Sequence, residues 1–445
     1  MKCFVLQNVK FVLCASEMLR KRSVKVEIRR ANFNNHLKDK AILSLQARIF
    51  GLAKISFLED KIMYYDEIIA QNQAWIDETW AKIEKKASAA AVKSRNKIPY
   101  TTDANGNHTD KSKDPHMWTN GFWGAYMWLM YEATRNEDFA ITARNCEKVM
   151  DACFDDMDLL HHDVGFMWHI MTGARYALTG EKDARNKDLL CAMTLASRFK
   201  LNGGYIRAWN GEWKGENNDG WTIIDCLMNL PLLFWASREV GDDRFAQIAL
   251  SHLDMVAEHH IRQDGSVNHI VFHDVETGEM TGTHRGQGYA VGSTWSRGAS
   301  WAVYGFALAY AHTKDEKYLN IAKKVANDFI ANLSVEDWLP LVDFRAPAEP
   351  VQYDSTAGAV ASCGFIEIAK HCPEHEKKLY LKAALKTLQA MDKSFCRWED
   401  NIDAFLDCGK EEYHFGMSHP IIYGDFFYAE AILKLKGSEF NPWTI

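Results

Sequence analysis

The sequence predicts an all-α fold in which six helical hairpins close into an (α/α)6 barrel. From about residue 64 onward the chain reads as one amphipathic helix after another, joined by short polar turns. The entries of the helices that follow these turns recur at steps of 44, 62, 73 and 62 residues, at Phe139, Asp183, Phe245, Tyr318 and Tyr380. About 385 residues divided by such a step give roughly six two-helix units. An open solenoid is the alternative, because periodicity does not settle closure.

Residues 1–62 differ in charge from the rest of the chain. The first 60 residues carry a net charge of +7, whereas the others carry −14. We predict that residues 1–62 form a basic, poorly ordered extension, or precede a true start at Met63, and that residues 63–445 form one catalytic barrel domain. A cryptic export signal is less favoured, because Gln7 and Lys10 interrupt its apolar stretch.

The aromatic helices are predicted to line the inside of the barrel, and the charged amphipathic helices its outside. Asp or Glu near the start of the outer helices complements the positive end of the helix dipole. The loops that enter the inner helices carry Trp, His, Gln and Asp, so we expect them to line one mouth of the barrel. The inner helices are predicted at 121–133, 164–178, 222–238, 297–311, 355–369 and 424–435.

Composition narrows the function. A net charge of −7 disfavours nucleic acid as a partner, because phosphate binding requires a basic face. No apolar stretch reaches the length of a membrane span, so we expect no membrane partner. The 15 Trp suit the apolar faces of sugars. The ten Cys contain no CxxC pair, which predicts reduced thiols and a cytoplasmic location in preference to a periplasmic or exported one.

Asp225 stands in an almost entirely apolar segment. Burying a carboxylate among Ile, Leu, Met and Trp is costly, and the usual relief is that the group keeps its proton. A carboxyl that stays protonated near neutral pH can act as a general acid. Asn229, four residues later on the predicted helix, is expected to hold the Asp225 carboxyl in place. A buried ion pair with a distant Arg is the structural alternative.

Asp163 is a second acid in an aromatic-rich segment. It precedes the helix predicted at 164–178, so it could simply cap that helix. The preceding His161 and His162 could hydrogen-bond its carboxylate, and Gly165 would let another group approach closely. Together with the first acid, Asp163 predicts a sugar-processing site with two catalytic carboxylates.

Arg297 and Trp301 lie four residues apart, on one face of a predicted helix. They could form a cation–π pair that supports the core, or a clamp that sets a guanidinium on an anionic group and an indole under a sugar ring. Gln287, between two glycines, could be an ordinary loop residue or a binding group. The Trp residues could be core, although several stand in polar loops; they are at 118, 123, 209, 213, 295 and 301.

The 17 His do not predict a metal site. No HExxH sequence occurs. His161 and His162 are neighbours, so on a helix their side chains would point apart. His269 and His273 enclose Ile-Val-Phe, which indicates a strand. No phosphate-binding glycine loop and no GxSxG sequence is present, and we predict no metal and no cofactor.

Several short motifs occur along the chain in one order. They are Trp118-Thr-Asn-Gly-Phe-Trp123, His161-His-Asp163-Val-Gly-Phe, Ile224-Asp225-Cys-Leu-Met-Asn-Leu-Pro, Gln287-Gly-Tyr, Trp295-Ser-Arg297-Gly-Ala-Ser-Trp301 and Ile422-Tyr-Gly-Asp425. Together they resemble glycoside hydrolase family 88, the unsaturated glucuronyl hydrolases. The resemblance covers roughly residues 64–437.

The resemblance implies an (α/α)6 barrel without a metal or organic cofactor. It implies a hydrolase that removes 4,5-unsaturated uronic acid from the non-reducing end of oligosaccharides that polysaccharide lyases release, from glycosaminoglycans or similar polymers. The implied reaction is a hydration: a proton goes to C4, water adds at C5, and the resulting hemiketal opens and expels the aglycone.

The resemblance also implies roles for single residues. Asp225 is the acid/base that protonates C4 and activates water, and Asp163 is the second essential carboxylate, which binds ring hydroxyls. The residues expected to contact the unsaturated sugar are His162, His269, Gln287, Trp295, Arg297 and Trp301, with Trp123 and Trp209 as walls of the pocket.

One loop departs from the family's pattern. Members that prefer sulfated chondroitin-type disaccharides carry Ser-x-x-Ser-x-Lys in a C-terminal loop. The corresponding stretch here, from Glu412 to Pro420, has no Lys and begins with an acid. We therefore expect no preference for sulfate next to the scissile bond.

Three alternatives stay open. Unsaturated rhamnogalacturonyl hydrolases are close in chemistry. An N-acylglucosamine epimerase on a helical barrel would place paired catalytic His on inner helices, where this chain has Asp. A non-catalytic carbohydrate-binding protein would keep the Trp residues but would not need a buried Asp225. We predict an unsaturated oligosaccharide as the partner, and a monomer or weak homodimer.

Overall fold

The structure is a computed structural model that describes residues 2–6, 9–13, 67–213 and 216–445. The chain divides into two compact units, Met1–Ile62 and Met63–Ile445. In the first unit, β1 (Lys2–Leu6) and β2 (Val9–Leu13) pair as an antiparallel hairpin. The prediction of a poorly ordered extension over residues 1–62 otherwise lies outside the described residues.

In the described part of the second unit, twelve α-helices alternate between outside and inside. The outer helices, whose outward faces are charged, are α1 (67–93), α3 (Glu137–Met150), α5 (Lys182–Ser197), α7 (Arg244–His259), α9 (Glu316–Val335) and α11 (Glu374–Ser394). The inner helices, which are mostly buried, are α2 (Asn120–Thr134), α4 (Ala174–Thr179), α6 (Leu230–Val240), α8 (Ser296–Thr313), α10 (Ser355–His371) and α12 (Ile422–Leu435).

Four described helical segments that are not α-helices, one π-helix and three 3₁₀ helices, complete this pattern. A π-helix (Gly165–Gly173) leads into α4, and a 3₁₀ helix (Ile224–Asn229) leads into α6. Two further 3₁₀ helices, Asp151–Phe154 and Met157–Leu159, follow α3. The π-helix and the longer 3₁₀ helix both stand at the N-terminal ends of inner elements, where the functional candidates lie.

The turns between inner and outer helices follow from local chemistry. Arg135 and Lys314 adopt left-handed backbone with φ of 58° and end α2 and α8. Asn136 and Asp315 then begin α3 and α9, because each side chain accepts a hydrogen bond from the amide two residues later.

The first and last inner helices pack against each other and close the ring. Phe122 of α2 contacts Tyr423 and Phe426 of α12, with ring centroids 5.7 and 5.5 Å apart. On the outside, the Trp75 indole of α1 donates a hydrogen bond of 2.9 Å to the Asp392 carboxylate of α11. The fold is therefore the predicted (α/α)6 barrel, and the open solenoid is excluded.

Short strands cover part of the mouth. β7 (Trp221–Ile223), β8 (Ile270–His273) and β9 (Met280–His284) form an antiparallel sheet with β8 in the centre. Its register pairs Ile223 with Ile270, and Ile270 with His284. Two smaller hairpins join β3 (Phe199–Lys200) to β4 (Tyr205–Ile206) and β5 (Glu212–Trp213) to β6 (Glu216–Asn217). The strand predicted between His269 and His273 is confirmed.

The helix predicted at 222–238 is wrong at its start. Residues 221–223 are strand, residues 224–229 are a 3₁₀ helix, and the α-helix begins at Leu230. Pro231 occupies the first turn of that helix. Proline is tolerated there because its missing N–H has no partner to lose, whereas one turn further into a helix it would clash. Asp225 therefore stands on a 3₁₀ helix and not on an α-helix.

Aromatic side chains fill the lumen between the inner helices. Trp443, from the C-terminal segment, is fully buried and stacks on Phe427 with ring centroids 5.8 Å apart. It also meets Phe166 edge-on at 5.9 Å. Its indole donates a 3.2 Å hydrogen bond to Glu430, whose other oxygen lies 2.7 Å from Lys434 Nζ. The C-terminal segment thus packs inside the barrel, where the Trp443 carbonyl also lies 3.0 Å from Nε2 of His312 near the end of α8.

Within the described ranges, no helix has the length and apolar character to cross a membrane. The eight cysteines at described positions are free thiols, six of them buried. Burial raises the pKa of the Cys146 and Cys153 thiols to about 12, so both stay protonated and unreactive at neutral pH.

Candidate active site

Asp163 and Asp225 lie close together where two inner elements begin. Asp163 directly precedes the first turn of the π-helix segment, and Asp225 is the second residue of the 3₁₀ helix. Their exposed fractions are 6% and 8%. Burial is the main reason that the pKa of Asp163 is raised well above its ordinary value, and the negative charge of Asp225 is the second. The proton predicted to stay on Asp225 remains a prediction.

Asn229 holds Asp163 and not the Asp225 carboxyl. Its Nδ2 donates to Asp163 Oδ1 over 3.2 Å, and its Oδ1 accepts from the Phe166 amide over 2.8 Å. Toward Asp225, the amide reaches only the main-chain oxygen, at 3.5 Å. The predicted support of the Asp225 carboxyl by Asn229 is therefore wrong, since the 3₁₀ geometry turns this amide toward the neighbouring inner element.

The glycine after Asp163 has the role that the sequence indicates. A Cβ on Gly165 would lie 2.7 Å from Asn229 Oδ1 and 2.8 Å from its Cα, so only glycine admits this neighbour. The alternative of a simple helix cap fails, because the Phe166 amide, which a capping Asp163 carboxylate would bind, donates to Asn229 Oδ1 instead. The Asp163 carboxylate faces Asn229 and two imidazoles instead.

His161 and His162 both turn their rings to Asp163. His161 Nδ1 and His162 Nε2 each lie 3.4 Å from Asp163 Oδ2. Burial lowers the pKa of His161 to about 4 and that of His162 well below its ordinary value, with nearby cationic groups as the smaller cause. Both rings are therefore neutral at neutral pH. The expectation that these neighbours point apart is wrong, because residues 161–163 form a turn and not a helix.

His269 presents an N–H group to Asp225. Its Nδ1 accepts a hydrogen bond of 3.0 Å from the Gln287 amide, so in the neutral ring Nε2 carries the hydrogen. Nε2 lies 3.5 Å from Asp225 Oδ2. Trp295 stacks on the imidazole with 4.2 Å between centroids. Gly286, at φ +57°, passes so close that a Cβ there would lie 2.1 Å from His269 Nδ1.

Gln287 joins this histidine to a second loop. Its main-chain oxygen accepts from the Tyr413 amide over 2.9 Å, and its side chain donates to the Glu411 carbonyl over 2.6 Å. We call residues 409–419, whose ends pair at Gly409 and His419, the mouth loop. The side-chain bond leaves the Gln287 amide oxygen available, so the predicted binding role of Gln287 stays a prediction.

Arg297 is the anchor of the mouth loop. Its guanidinium is 1% exposed. Nη1 bonds to the Asp354 carboxylate and the Lys410 carbonyl, both at 2.6 Å, and Nη2 bonds to the Glu411 carbonyl at 2.8 Å. These bonds tie α8 and α10 to the loop. The predicted clamp of Arg297 on a substrate group stays a prediction, and the contacts seen here are all within the protein.

The predicted Trp contacts fall into two groups. Trp209 is half-buried and meets His162 edge-on at 6.0 Å, and Trp295 lies between His269 and the Arg297 guanidinium, which is 4.5 Å from its ring. Trp123 and Trp301 are fully buried, as the core-packing interpretation expects. Trp301 packs on Phe166 and Phe427 at 5.3 and 5.5 Å, and Trp123 packs on His108 at 5.6 Å.

Three residues at the mouth have contacts that the sequence did not predict. Trp118 is half-buried and contacts Phe166 at 5.6 Å and Tyr423 at 5.4 Å, which places it over the aromatic floor beside Asp163. It stands in the same motif as Trp123, so the motif contained the signal. His161 was taken for a supporting group only, and Asn229 was assigned to the wrong carboxyl.

The arrangement can transfer protons in a partly dry pocket. Asp163 and Asp225 are two buried carboxyls that can hold and pass a proton, His269 Nε2 faces Asp225, and Trp209 and Trp118 offer flat apolar faces. His161, His162 and Asp163 are also the one group of three His, Cys or acidic side chains among the described residues whose ligand atoms lie within 4.8 Å of one another. This trio could hold a metal ion.

Comparison with known proteins places this geometry in a family. The model of Glycosyl Hydrolase Family 88 matches residues 90–402. An unsaturated glucuronyl hydrolase of Bacillus sp. (strain GL1) is 33% identical over 359 residues, which cover 78% of this chain and 93% of the relative. An unsaturated chondroitin disaccharide hydrolase of Streptococcus pneumoniae (strain ATCC BAA-255 / R6) is 34% identical over 362 residues, covering 78% and 88%.

A solved structure shows the same architecture. The crystal structure of the Bacillus sp. GL1 unsaturated glucuronyl hydrolase, described as responsible for the degradation of glycosaminoglycan, superposes with a TM-score of 0.73 at 32% identity. The match covers 80% of this chain and 97% of that one. With the family model, the relatives and the fold in agreement, the chain belongs to glycoside hydrolase family 88 and is a glycoside hydrolase.

Proposed function

We propose that this enzyme removes 4,5-unsaturated uronic acid from the non-reducing end of oligosaccharides that polysaccharide lyases release, with glycosaminoglycan-type products as substrates. The observation that carries the proposal is the pair of buried carboxyls at the mouth, one of them facing the His269 N–H at 3.5 Å. The names of the relatives, unsaturated glucuronyl hydrolase and unsaturated chondroitin disaccharide hydrolase, support the substrate class.

In the proposed reaction Asp225 supplies the proton. Its carboxylic acid protonates C4 of the vinyl ether, and positive charge develops at C5 and the ring oxygen. Water then bonds to C5 and returns a proton to the Asp225 carboxylate. The hemiketal formed at C5 opens to a ketone, which leaves a hemiacetal at C1 that expels the aglycone as an alcohol. Proton transfer by a placed carboxyl typically contributes a factor of about 10² to 10⁴ in rate.

The neighbours of Asp225 support this role. The His269 Nε2–H group would stabilise the carboxylate that remains after protonation of C4. Its tautomer is set by the Gln287 amide on the other ring nitrogen. Asp163, protonated and held by Asn229, would donate a hydrogen bond to a sugar hydroxyl. Arg297 would act as a positioning residue, because its bonds fix the mouth loop and, through Glu411, the Gln287 side chain.

The flat faces at the mouth would hold the ring. A 4,5-double bond flattens the uronic acid, and such a ring packs well against indole. Trp209 and Trp118 are half-buried at the positions where a sugar entering toward Asp163 would meet them. We propose Trp209 as one wall of the pocket, as the motif implies, and add Trp118 as another.

The test measures the ultraviolet absorbance of the double bond in the substrate. Hydration of the double bond should remove its ultraviolet absorbance, with one reducing end released per double bond lost. Unsaturated hyaluronan, chondroitin and heparin disaccharides should be tried beside an unsaturated rhamnogalacturonan disaccharide. Loss of absorbance with the last substrate alone would favour the rhamnogalacturonyl hydrolase. Unchanged absorbance with every one would contradict the proposal and leave the epimerase or a binding function.

A further inference from the structure

We infer that His161, His162 and Asp163 form a binding site for one Zn²⁺ ion, and that the bound ion blocks the active site. The three side chains are brought together by the turn at residues 161–163, in the predicted loop before the inner helix. The binding itself is independent of the proposed function. The blocking effect rests on the proposed function, since it assumes that Asp163 serves the sugar.

The spacing of the three ligand atoms suits zinc. His161 Nδ1 and His162 Nε2 each lie 3.4 Å from Asp163 Oδ2. Zinc bonds to imidazole nitrogen and carboxylate oxygen are about 2.0–2.2 Å long, so two ligands of a tetrahedral ion are roughly 3.3–3.5 Å apart. The two imidazole nitrogens lie within 4.8 Å of each other, so an ion can meet all three atoms once the rings shift and the 3.4 Å bond from the Asp163 amide to His161 Nδ1 is released.

The chemistry of the donors selects the kind of ion. Two imidazole nitrogens and one carboxylate oxygen suit zinc and neighbouring transition metals, whereas magnesium and calcium prefer oxygen ligands throughout. Three protein ligands leave the fourth position of a tetrahedral ion open for water. The trio thus resembles an open zinc site more than a closed structural one.

The surroundings leave the site both supported and reachable. Asn229 holds Asp163 Oδ1, which fixes the carboxylate and leaves Oδ2 to the ion. The His162 and Asp163 side chains are buried, with 1% and 9% of their surface exposed, but the His161 side chain is 20% exposed and gives a route from solvent.

A bound ion would remove Asp163 from catalysis. Asp163 Oδ2 would become a metal ligand and could no longer offer a proton to a sugar hydroxyl. Zinc should therefore compete with the substrate and raise the apparent KM, and a chelator should restore the rate. Magnesium at the same concentration should have no effect.

The binding test needs no substrate. Zinc is titrated by calorimetry into the full chain, and Co²⁺ absorption reports whether a substitute ion is tetrahedral. The variants are His161→Gln and His162→Gln. The control is His375→Gln, because that side chain is 80% exposed on α11, far along the chain from the trio. Circular dichroism checks the fold of each.

We expect one zinc per wild-type and control chain, and binding weaker by tenfold or more in both trio variants. Absence of binding by the wild type, or equal affinity in the variants, would overturn the site. A zinc-loaded enzyme that turns over an unsaturated disaccharide at the metal-free rate would overturn the blocking effect. If the metal-free enzyme turns over no unsaturated disaccharide, the proposed function fails, while calorimetry still decides whether the ion binds.

Discussion

The Asn229 side chain donates a hydrogen bond to the carboxylate of Asp163, which stands 66 residues earlier in the chain, with 3.2 Å between Nδ2 and Oδ1. Asn229 also follows Asp225 by four residues on the 3₁₀ helix. One amide thus connects the inner elements that carry the two catalytic candidates. The position of Asp163 therefore depends on the segment that carries Asp225.

Asn229→Ala should lower kcat by about 10- to 100-fold. A hydrogen bond to a buried polar group is worth about 1–3 kcal/mol, and its loss frees the Asp163 carboxyl and leaves the Phe166 amide unpaired. Asn332→Ala is the matched control, because Asn332 bonds to the Asp328 carbonyl on α9. Steady-state kinetics on an unsaturated disaccharide measure the effect. Equal rates for the two variants would show that Asn229 does not position the site.

Asp225→Asn should lower kcat by a factor of about 10² or more with the fold intact. The amide keeps the shape of the side chain but has no proton to transfer to C4. Asp242→Asn, at an exposed position in the turn before α7, is the control. Single-turnover absorbance measurements with thermal unfolding alongside decide the outcome. A variant that keeps a tenth of the wild-type rate would rule out Asp225 as the acid/base.

The stability of the fold should depend on pH through Asp425. This buried carboxyl accepts from the Leu406 amide at 2.8 Å, and burial raises its pKa from 3.8 to about 7. Between about pH 4 and 7 the folded chain holds a proton that the unfolded chain has released. Its contribution to the free energy of unfolding is therefore full at low pH and is lost as the pH rises to about 7.

Asp425→Asn removes this titration. Relative to the variant, the free energy of unfolding of the wild type should fall by roughly 2–3 kcal/mol from pH 5 to pH 8. The slope is about 1.4 kcal/mol per pH unit up to the pKa of Asp425 in the folded chain. Urea denaturation at both pH values measures it. Asp400→Asn, at an exposed position, serves as the control, and relative to this variant the wild type should show no such fall. A constant difference for Asp425→Asn would contradict the raised pKa.

Unsulfated unsaturated disaccharides should be better substrates than their 6-sulfated counterparts. The mouth loop is tied to Gln287 and Arg297, so Glu412 lies beside the pocket, where its Oε1 is 3.9 Å from Arg285 Nη2. A like charge at a partly dry site costs on the order of 1 kcal/mol, which is several-fold in kcat/KM. Glu412→Gln should reduce the preference. A clear preference of the wild type for the sulfated substrate would contradict this prediction.

The fold was predictable because it repeats. Each hairpin buries an aromatic helix and exposes a charged one, and that contrast recurs often enough to count the units. Closure was not predictable, since it depends on contacts such as Phe122 with Phe426, which join residues some 300 positions apart. The start of α6 was missed although Pro231 marks it, because the apolar run before it fits a buried helix as well as a strand.

The candidate site was predictable where a residue is unusual in its own segment. Asp225 and Asp163 are acids in apolar surroundings, and both lie at the mouth. The direction in which a side chain points was not predictable from the spacing of residues in the sequence. Asn229 turns to the Asp163 carboxyl, and His161 and His162 face the same Asp163 oxygen. Both errors came from assuming α-helical geometry where the chain forms a 3₁₀ helix and a turn.

Aromatic side chains fill the lumen below the mouth of the barrel. Trp443, Phe427 and Phe166 are buried and packed on one another between the inner helices, so a saccharide that enters at the mouth meets a layer of packed rings. A terminal sugar can reach the floor of such a pocket while the rest of the polymer stays in solvent. Such a shape favours the removal of end units over cleavage within a polymer.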